Sequence, residues 1–406
     1  MKAYLNKKNE EKIIKELKKG NPWIYANEVN KIEGNITSGG IVKVYDNNEN
    51  FLCVGYLNTS SKILIRVLAL EDIEIDETFW YNRIRDAYNL RKDLNKTETA
   101  RLVFSEADFI PGLVVDKYGD YLVIQSTTAG IDNALDDIIK ALNRIVSPKG
   151  IYLRNDVKIR EKEGLNLYKQ WVGTPQNPII QIKENDILME IDLENGQKTG
   201  YFLDQQENRK LLGEFSKDKT VLDCFSNCGG FALNALKNDA KKVVAIDISS
   251  LATSQIKKNA DLNGFTNLEV VTADIMDYLP KLIEENKKFD IVVLDPPAFT
   301  KNKDSINQAY NGYKKINRLA MQLIEPGGYL FTFSCSRYMT KELFKEMLND
   351  ARQNRKIQII EERFQAKDHP MLFESDNSTY LKCFVLRILS WLKQEKWLVI
   401  RRIWKE

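Results

Sequence analysis

The 406-residue chain has one histidine, His369, and five cysteines, none of them in a Cys-x-x-Cys pair. One imidazole supplies a zinc site poorly, so no metal is expected. It also confines histidine general-base chemistry to a single position. Five scattered thiols in a chain of this size do not make a disulfide framework. No run approaches 18 consecutive apolar residues, which argues against a transmembrane helix and a membrane partner. The lysine- and glutamate-rich start, Met1 to Glu11, has no apolar run behind it and does not read as a secretory signal. The expected location is the cytoplasm. Neither charge dominates: 60 Lys and Arg against 57 acids leave a formal net charge of +3. That is too small a surplus to indicate a nucleic-acid partner on its own. What is present, 43% hydrophobic and 29% charged residues, describes a soluble globular protein. Its length exceeds what one core usually serves, so two or three domains are expected.

Three stretches differ in pattern. Over residues 1–70, short strands at Ile41–Tyr45, Phe51–Leu57 and Ile63–Leu68 are separated by turn residues such as Asp46–Asn50, which suggests a small β-barrel module. Its lysine-rich flanks suit either RNA backbone contact or a plain solvated face. Residues 71–185 mix helix and strand. A hairpin turning at Lys117–Asp120 is followed by a helix with apolar positions from Ile131 to Val146, ended by Pro148 and Gly150. Strands near Ile151–Leu153 and Asn166–Val172 complete an α+β middle domain. From 186 to 388 strands and helices alternate, the pattern of a doubly wound, Rossmann-like α/β sheet. Asp204 and Glu207 suggest a capping box ahead of its first strand. The last two strands, near Ile357–Ile360 and Leu381–Ile388, have no good helix between them and are expected as an antiparallel edge pair. Residues 389–406 form a basic, tryptophan-rich tail with Trp391, Trp397 and Trp404.

The most informative run is Val221-Leu-Asp-Cys-Phe-Ser-Asn-Cys-Gly-Gly-Phe231, a buried strand entering a glycine turn and then a helix. Gly229 and Gly230 let the backbone approach a ligand with no Cβ in the way. The spacing is not that of the pyrophosphate-binding G-x-G-x-x-G turn. Acids recur near three successive strand ends: Asp223, then Asp247, suited to ribose hydroxyls, then Asp274, within reach of an adenine amino group. Three such acids without a pyrophosphate loop favour S-adenosylmethionine over NAD. The expected cofactor set on these strands is Asp223, Phe225, Gly229, Asp247, Ile248, Asp274, Ile275 and Asp295.

The fourth strand ends Ile291-Val-Val-Leu-Asp295-Pro296-Pro297-Ala-Phe299. Ligands of open α/β sheets bind beyond the carboxyl ends of the strands where strand order reverses. If the first and fourth strands are neighbours, Asp223 and Asp295 bracket that crevice. The two prolines stiffen a turn that would present a carboxylate and carbonyls to substrate, with Pro296, Pro297 and Phe299 as the contacts. The fifth strand ends Phe333-Ser334-Cys335-Ser336. Methylation at pyrimidine C5 needs a nucleophile at C6, and a cysteine at this strand end is placed to supply it. Cys224 and Cys228 read as packing residues, and Cys53 and Cys383 as strand residues without chemistry.

These motifs resemble the bacterial methyltransferases that form 5-methylcytosine in large-subunit ribosomal RNA, whose N-terminal module is a PUA domain. The likeness runs to about Ile388. It begins with Asn21-Pro-Trp-Ile-Tyr25, although the family usually has histidine where Asn21 stands. Its most specific part is Gly196-Gln-Lys-Thr-Gly200-Tyr-Phe202-Leu-Asp204-Gln205-Gln206-Glu-Asn208-Arg209, and it closes with His369-Pro370 and Tyr380-Leu-Lys-Cys383. The resemblance implies that Cys335 is the nucleophile and Asp295 the cytosine-contacting acid. It adds Lys198, Phe202 and Asp204 to the cofactor residues. It further implies ribosomal RNA as partner, docked by the PUA and middle domains, and a possible homodimer. The tail from Leu389 does not align with the family's ending.

Two other functions compete. A methyltransferase acting on an exocyclic amine of adenine or guanine also carries an acid–Pro–Pro turn, but usually follows it with an aromatic, where this chain has Ala298. An RNA-binding protein with a catalytically silent α/β domain is the other. A dehydrogenase is more distant, for want of a glycine-rich pyrophosphate loop.

Overall fold

The structure, a computed structural model, describes residues 1–300, 304–373 and 378–391. The chain makes two compact units. The first comprises Met1–Glu184, Glu190–Asp204 and Ala366–Thr379; the second comprises Asn185–Met189, Gln205–Gln365 and the chain from Tyr380.

The first unit opens with a six-stranded sheet in the order Trp23–Tyr25, Ile63–Ala69, Phe51–Leu57, Gly40–Tyr45, Lys2–Leu5, Val29–Glu33. The three expected strands are present. The other three are three to five residues long, too short to show a clear two-residue alternation in sequence. Helix Glu10–Lys18 turns Ile13 and Leu17 into the same core as Val42, Val44 and Ile65.

A five-stranded sheet follows, ordered Tyr168–Trp171, Gly150–Asn155, Tyr121–Ser126, Leu113–Tyr118, Thr99–Phe104. The hairpin at Gly119 is as expected, with Tyr118 opposite Tyr121. The helix expected over 131–146 is divided at Ala134 into Ala129–Asn133 and Leu135–Val146, and it ends on Ser147 in the left-handed conformation. Helix Glu77–Asp93, capped by the Asp76 side chain, packs Phe79, Trp80, Ile84 and Ala87 into this core.

The second unit contains one seven-stranded sheet, ordered Leu268–Thr272, Lys242–Asp247, Thr220–Cys224, Phe289–Leu294, Ile324–Ser334, Lys382–Trp391, Arg355–Arg363. The first four pairings in that order are parallel. The last two are antiparallel, as the missing helix between the closing strands predicts. Strand order reverses between Thr220–Cys224 and Phe289–Leu294, so the topological switch lies where the glycine turn and the Asp–Pro–Pro turn both leave the sheet. One face of the sheet contributes Leu222, Ile246, Val292 and Leu294 to a core closed by Tyr313, Ile316 and Ala320 of helix Ile306–Leu323 and by Phe344 and Met347 of helix Lys341–Ala351. Burial of such side chains contributes about 1.5–3 kcal/mol each and is the main force holding the layers together.

The expected Asp204–Glu207 capping box is corrected. Helix Gln206–Phe215 has Gln205 at its N-cap without a side-chain cap bond, because a short 3-10 turn, Leu203–Gln205, precedes it and Asp204 is engaged by Lys198 instead. Among the described residues no helix is long and apolar enough to cross a membrane. Trp391 ends the final strand, and the rest of the tail, with Trp397 and Trp404, lies outside the described residues.

Candidate active site

The glycine turn is built from backbone conformations that few residues adopt willingly. Phe225, Asn227 and Gly229 all have positive φ, of 64°, 52° and 90°. A Cβ added to Gly229 would stand 3.2 Å from Ile256 Cγ2, so close packing and backbone handedness both select glycine there. Ser226 ties the turn to the neighbouring strand: its N–H donates to the Ile246 carbonyl at 2.9 Å. Its hydroxyl oxygen accepts from the Ile246 N–H at 3.2 Å.

Asp223, 1% exposed, lies at the root of this turn. Its Oδ2 accepts the Ala232 N–H from helix Gly230–Lys237 at 3.1 Å, while its Oδ1 has no hydrogen-bond partner. Burial raises its carboxyl to about 7 against the opposing hydrogen bonds of Ser226 and the Ala232 N–H, and the negative charges of Asp295 and Asp247 add to the rise. A buried carboxylate with one oxygen open is out of balance until a cationic or N–H-bearing group arrives.

Asp247 ends its strand with each oxygen bonded once, to the Asn227 N–H and the Ser249 N–H, both at 2.9 Å. A carboxylate has lone pairs left over for hydroxyl donors. Beside it Ile248 is 69% exposed, an apolar side chain in the open next to an acid. Asp274 is exposed and caps helix Ile275–Glu284, accepting the Met276 N–H at 2.7 Å. The Ile275 side chain is core. An open acid, a turn free of Cβ atoms, a second acid and an exposed apolar side chain thus follow one another along adjacent strand ends. That set fits an amino-acid moiety, a ribose and a flat aromatic base, the parts of S-adenosylmethionine.

Across the switch point, Leu294 pairs with Cys224 on one side and Thr332 on the other. Asp295 leaves the sheet directly after it, and Cys335 directly after Ser334. Pro296 is buried and Pro297 exposed. The Phe299 ring packs on Tyr313 at a centroid distance of 4.6 Å, so one of its faces is already covered. Three of the five thiols, Cys53, Cys224 and Cys383, are buried, and burial pushes each of them above the ordinary thiol range. Cys228 and Cys335 are only partly buried.

Two residues here were not foreseen. The buried Tyr313 hydroxyl accepts from Ser334 Oγ at 3.1 Å and lies 3.0 Å from Ser336 Oγ, gripping both neighbours of Cys335. Lys382, paired with Ser334 in the sheet, donates to the carbonyls of Ser336 at 2.7 Å and Tyr380 at 2.8 Å. The sequence signals for it were its place in the closing motif Tyr380-Leu-Lys-Cys383 and a lysine at the head of a mostly apolar strand.

The remaining expected residues belong to the first unit. Lys198 pairs with Asp204 at 2.7 Å and lies 4.5 Å over the Phe202 ring. His369 is buried, with Nδ1 2.9 Å from Asp368 Oδ1 and its ring against Phe104. Asp368 accepts the Arg101 N–H and its carbonyl accepts from Arg91, so this imidazole sits in a structural network.

Comparison with known proteins agrees with this geometry. Residues 4–70 match the model of a PUA-like domain, and residues 157–387 that of an S-adenosylmethionine-dependent methyltransferase. The ribosomal RNA large subunit methyltransferase I of Aliivibrio fischeri is 38% identical over 388 residues, covering 92% of this chain and 97% of that one. The same enzyme of Aeromonas salmonicida is 39% identical, covering 92% and 96%. Among solved structures, one described as a SAM-dependent methyltransferase from Streptococcus mutans superimposes with a TM-score of 0.79 at 21% identity, covering 95% of this chain and 100% of that one. Another, a methyltransferase complexed with SAH, gives 0.81 at 22% identity with the same coverage. These two likenesses establish the fold. With more than half its length under the methyltransferase model and full-length relatives at this identity, the chain belongs to the S-adenosylmethionine-dependent methyltransferases, in the ribosomal RNA large subunit methyltransferase I family.

Proposed function

We propose that this methyltransferase forms 5-methylcytosine in large-subunit ribosomal RNA, with Cys335 as nucleophile. The observation that carries the reading is the sheet register, in which Asp295 leaves the sheet at the switch point and the partly buried Cys335 leaves the strand next to it. The name of the relatives supplies the substrate class. The Cys335 thiolate adds to C6 of the base, forming an Sγ–C6 bond and leaving C5 electron-rich. Asp295 receives a hydrogen bond from protonated N3 and stabilises that adduct. When bound, S-adenosylmethionine supplies an electrophilic methyl group to C5. Loss of the C5 proton then breaks the Sγ–C6 bond and restores both the aromatic base and the thiolate. Asp223 and Gly229 hold the amino-acid end of the cofactor. Asp247 takes the ribose hydroxyls, Ile248 covers a face of the adenine, and Asp274 accepts from its amino group. Pro296, Pro297 and Phe299 shape the base pocket.

The test is tritium transfer from labelled S-adenosylmethionine to undermethylated ribosomal RNA, wild type beside Cys335→Ala. Label at cytosine C5 with the wild type and none with the variant is expected. Equal transfer by both would mean amine or ribose chemistry and would remove Cys335 from the mechanism.

A further inference from the structure

Lys382 is a lysine out of place. It is 5% exposed, at the start of an interior strand between Leu381 and Cys383, which are 1% exposed each. A buried ammonium is costly unless its charge and its N–H groups find partners. Two of its three N–H groups reach carbonyls, one of which belongs to Ser336, the residue after Cys335. Carbonyls satisfy hydrogen bonds but carry no formal charge. No carboxylate among the described residues forms an ion pair with Lys382; Cys335 stands between Ser334, which Lys382 faces in the sheet, and Ser336, whose carbonyl it holds, and a thiolate there would favour the ammonium. On the other side, Tyr313 of helix Ile306–Leu323 holds Ser334 and Ser336. Burial raises its phenol, outweighing the opposing hydrogen bonds of Ser334 and Ser336, so it stays neutral there.

We propose that Lys382 is the positioning residue that keeps Cys335 as a thiolate and locks the Ser334–Cys335–Ser336 turn toward the substrate. This rests on the reading of Cys335 as nucleophile and adds the group that arms it. Burial lowers the Lys382 ammonium to about 8, so it is still mostly charged at neutral pH, where the attraction is needed. The cation–thiolate pair is self-consistent: each charge lowers the cost of burying the other.

The test is the pH dependence of Cys335 alkylation by iodoacetamide in the full-length protein, followed on the Cys335 peptide by mass spectrometry. Cys228, the other partly buried thiol, is the internal reference. In wild type the Cys335 inflection is expected at least about one pH unit below the ordinary free-thiol value of ~8.5. Lys382→Met should raise it and slow alkylation at neutral pH by about tenfold, since one unit is a tenfold change in thiolate. Lys382→Arg should restore most of the rate, and Cys228 should not respond to either change. A wild-type inflection at or above the ordinary value overturns the proposal, even if circular dichroism shows the variants misfolded. So does an unchanged inflection in a folded Lys382→Met. Tritium transfer is a separate readout: a depressed Cys335 inflection with label on an amine would sink the C5 reading, and with it the catalytic use of the thiolate, while the Lys382–Cys335 coupling itself stood.

Discussion

Single residues in the site are held in states that water would not permit. Asp223 titrates near 7 in the folded protein, against 3.8 for an ordinary aspartate. Between about pH 4 and 7 the folded protein keeps a proton there that the unfolded chain has released, so stability falls as pH rises through that window and levels off above it. Urea titrations across the window should show this slope, on the order of a few kcal/mol in total, and Asp223→Asn should flatten it. A slope unchanged by Asp223→Asn would mean that water reaches Oδ1 freely. At this scale the sequence was legible where chemistry follows strand ends: Asp223, Asp247, Asp295 and Cys335 stand where apolar runs stop. Lys382 and Tyr313 were not legible, because what sets them apart is burial and partnership, and a lone lysine or tyrosine in a strand or helix looks the same whether it faces the core or the solvent.

Between elements, the turn that carries Cys335 is shaped from two directions, by the strand opposite and by the helix Ile306–Leu323. Removing the Tyr313 hydroxyl tests the helix side. Tyr313→Phe keeps the ring against Phe299 and Phe344 but strands the hydroxyls of Ser334 and Ser336. The expected loss is about 1–3 kcal/mol in denaturant unfolding. The fall in methyl transfer should appear in kcat more than in KM, since the turn and not the cofactor is loosened. Parity with wild type in kcat would show that the strand alone holds the turn. The same scale explains which elements the sequence revealed. The inner parallel strands of the second unit carry apolar runs such as Val243–Ile246 and Ile291–Leu294, as strands covered on both faces must, whereas the edge strand Leu268–Thr272 holds Glu269 and buries none of its residues. The first unit's strands Trp23–Tyr25 and Val29–Glu33 are short, with little buried surface to leave a pattern. Its helix at 129–146 kept its apolar spacing across Ala134, where the backbone does not.

At the scale of the molecule, contacts distant in sequence close each unit. In the first, Arg66 meets Glu163 through two hydrogen bonds of 3.1 and 2.7 Å, and Asn58 and Ser61 also donate to that carboxylate. Arg66→Met leaves the buried Glu163 charge unpaired. It should lower the stability of the first unit by roughly 3–5 kcal/mol, seen as an earlier calorimetric transition. A shift no larger than that of a surface mutation would mean that Glu163 takes up a proton instead. In the second unit the sheet closes out of order: Lys382–Trp391 is the last strand in sequence but lies inside Arg355–Arg363. During synthesis the ribosome therefore makes the strands of the glycine turn and of the Asp–Pro–Pro turn first. Arg355–Arg363 emerges with its partner still unmade, and Ile324–Ser334 waits as an open edge. Only when the strand from Lys382 pairs between them can that lysine reach the Ser336 carbonyl. If Lys382 is the group that arms Cys335, as proposed above, a chain whose closing strand has not yet paired carries that thiol disarmed.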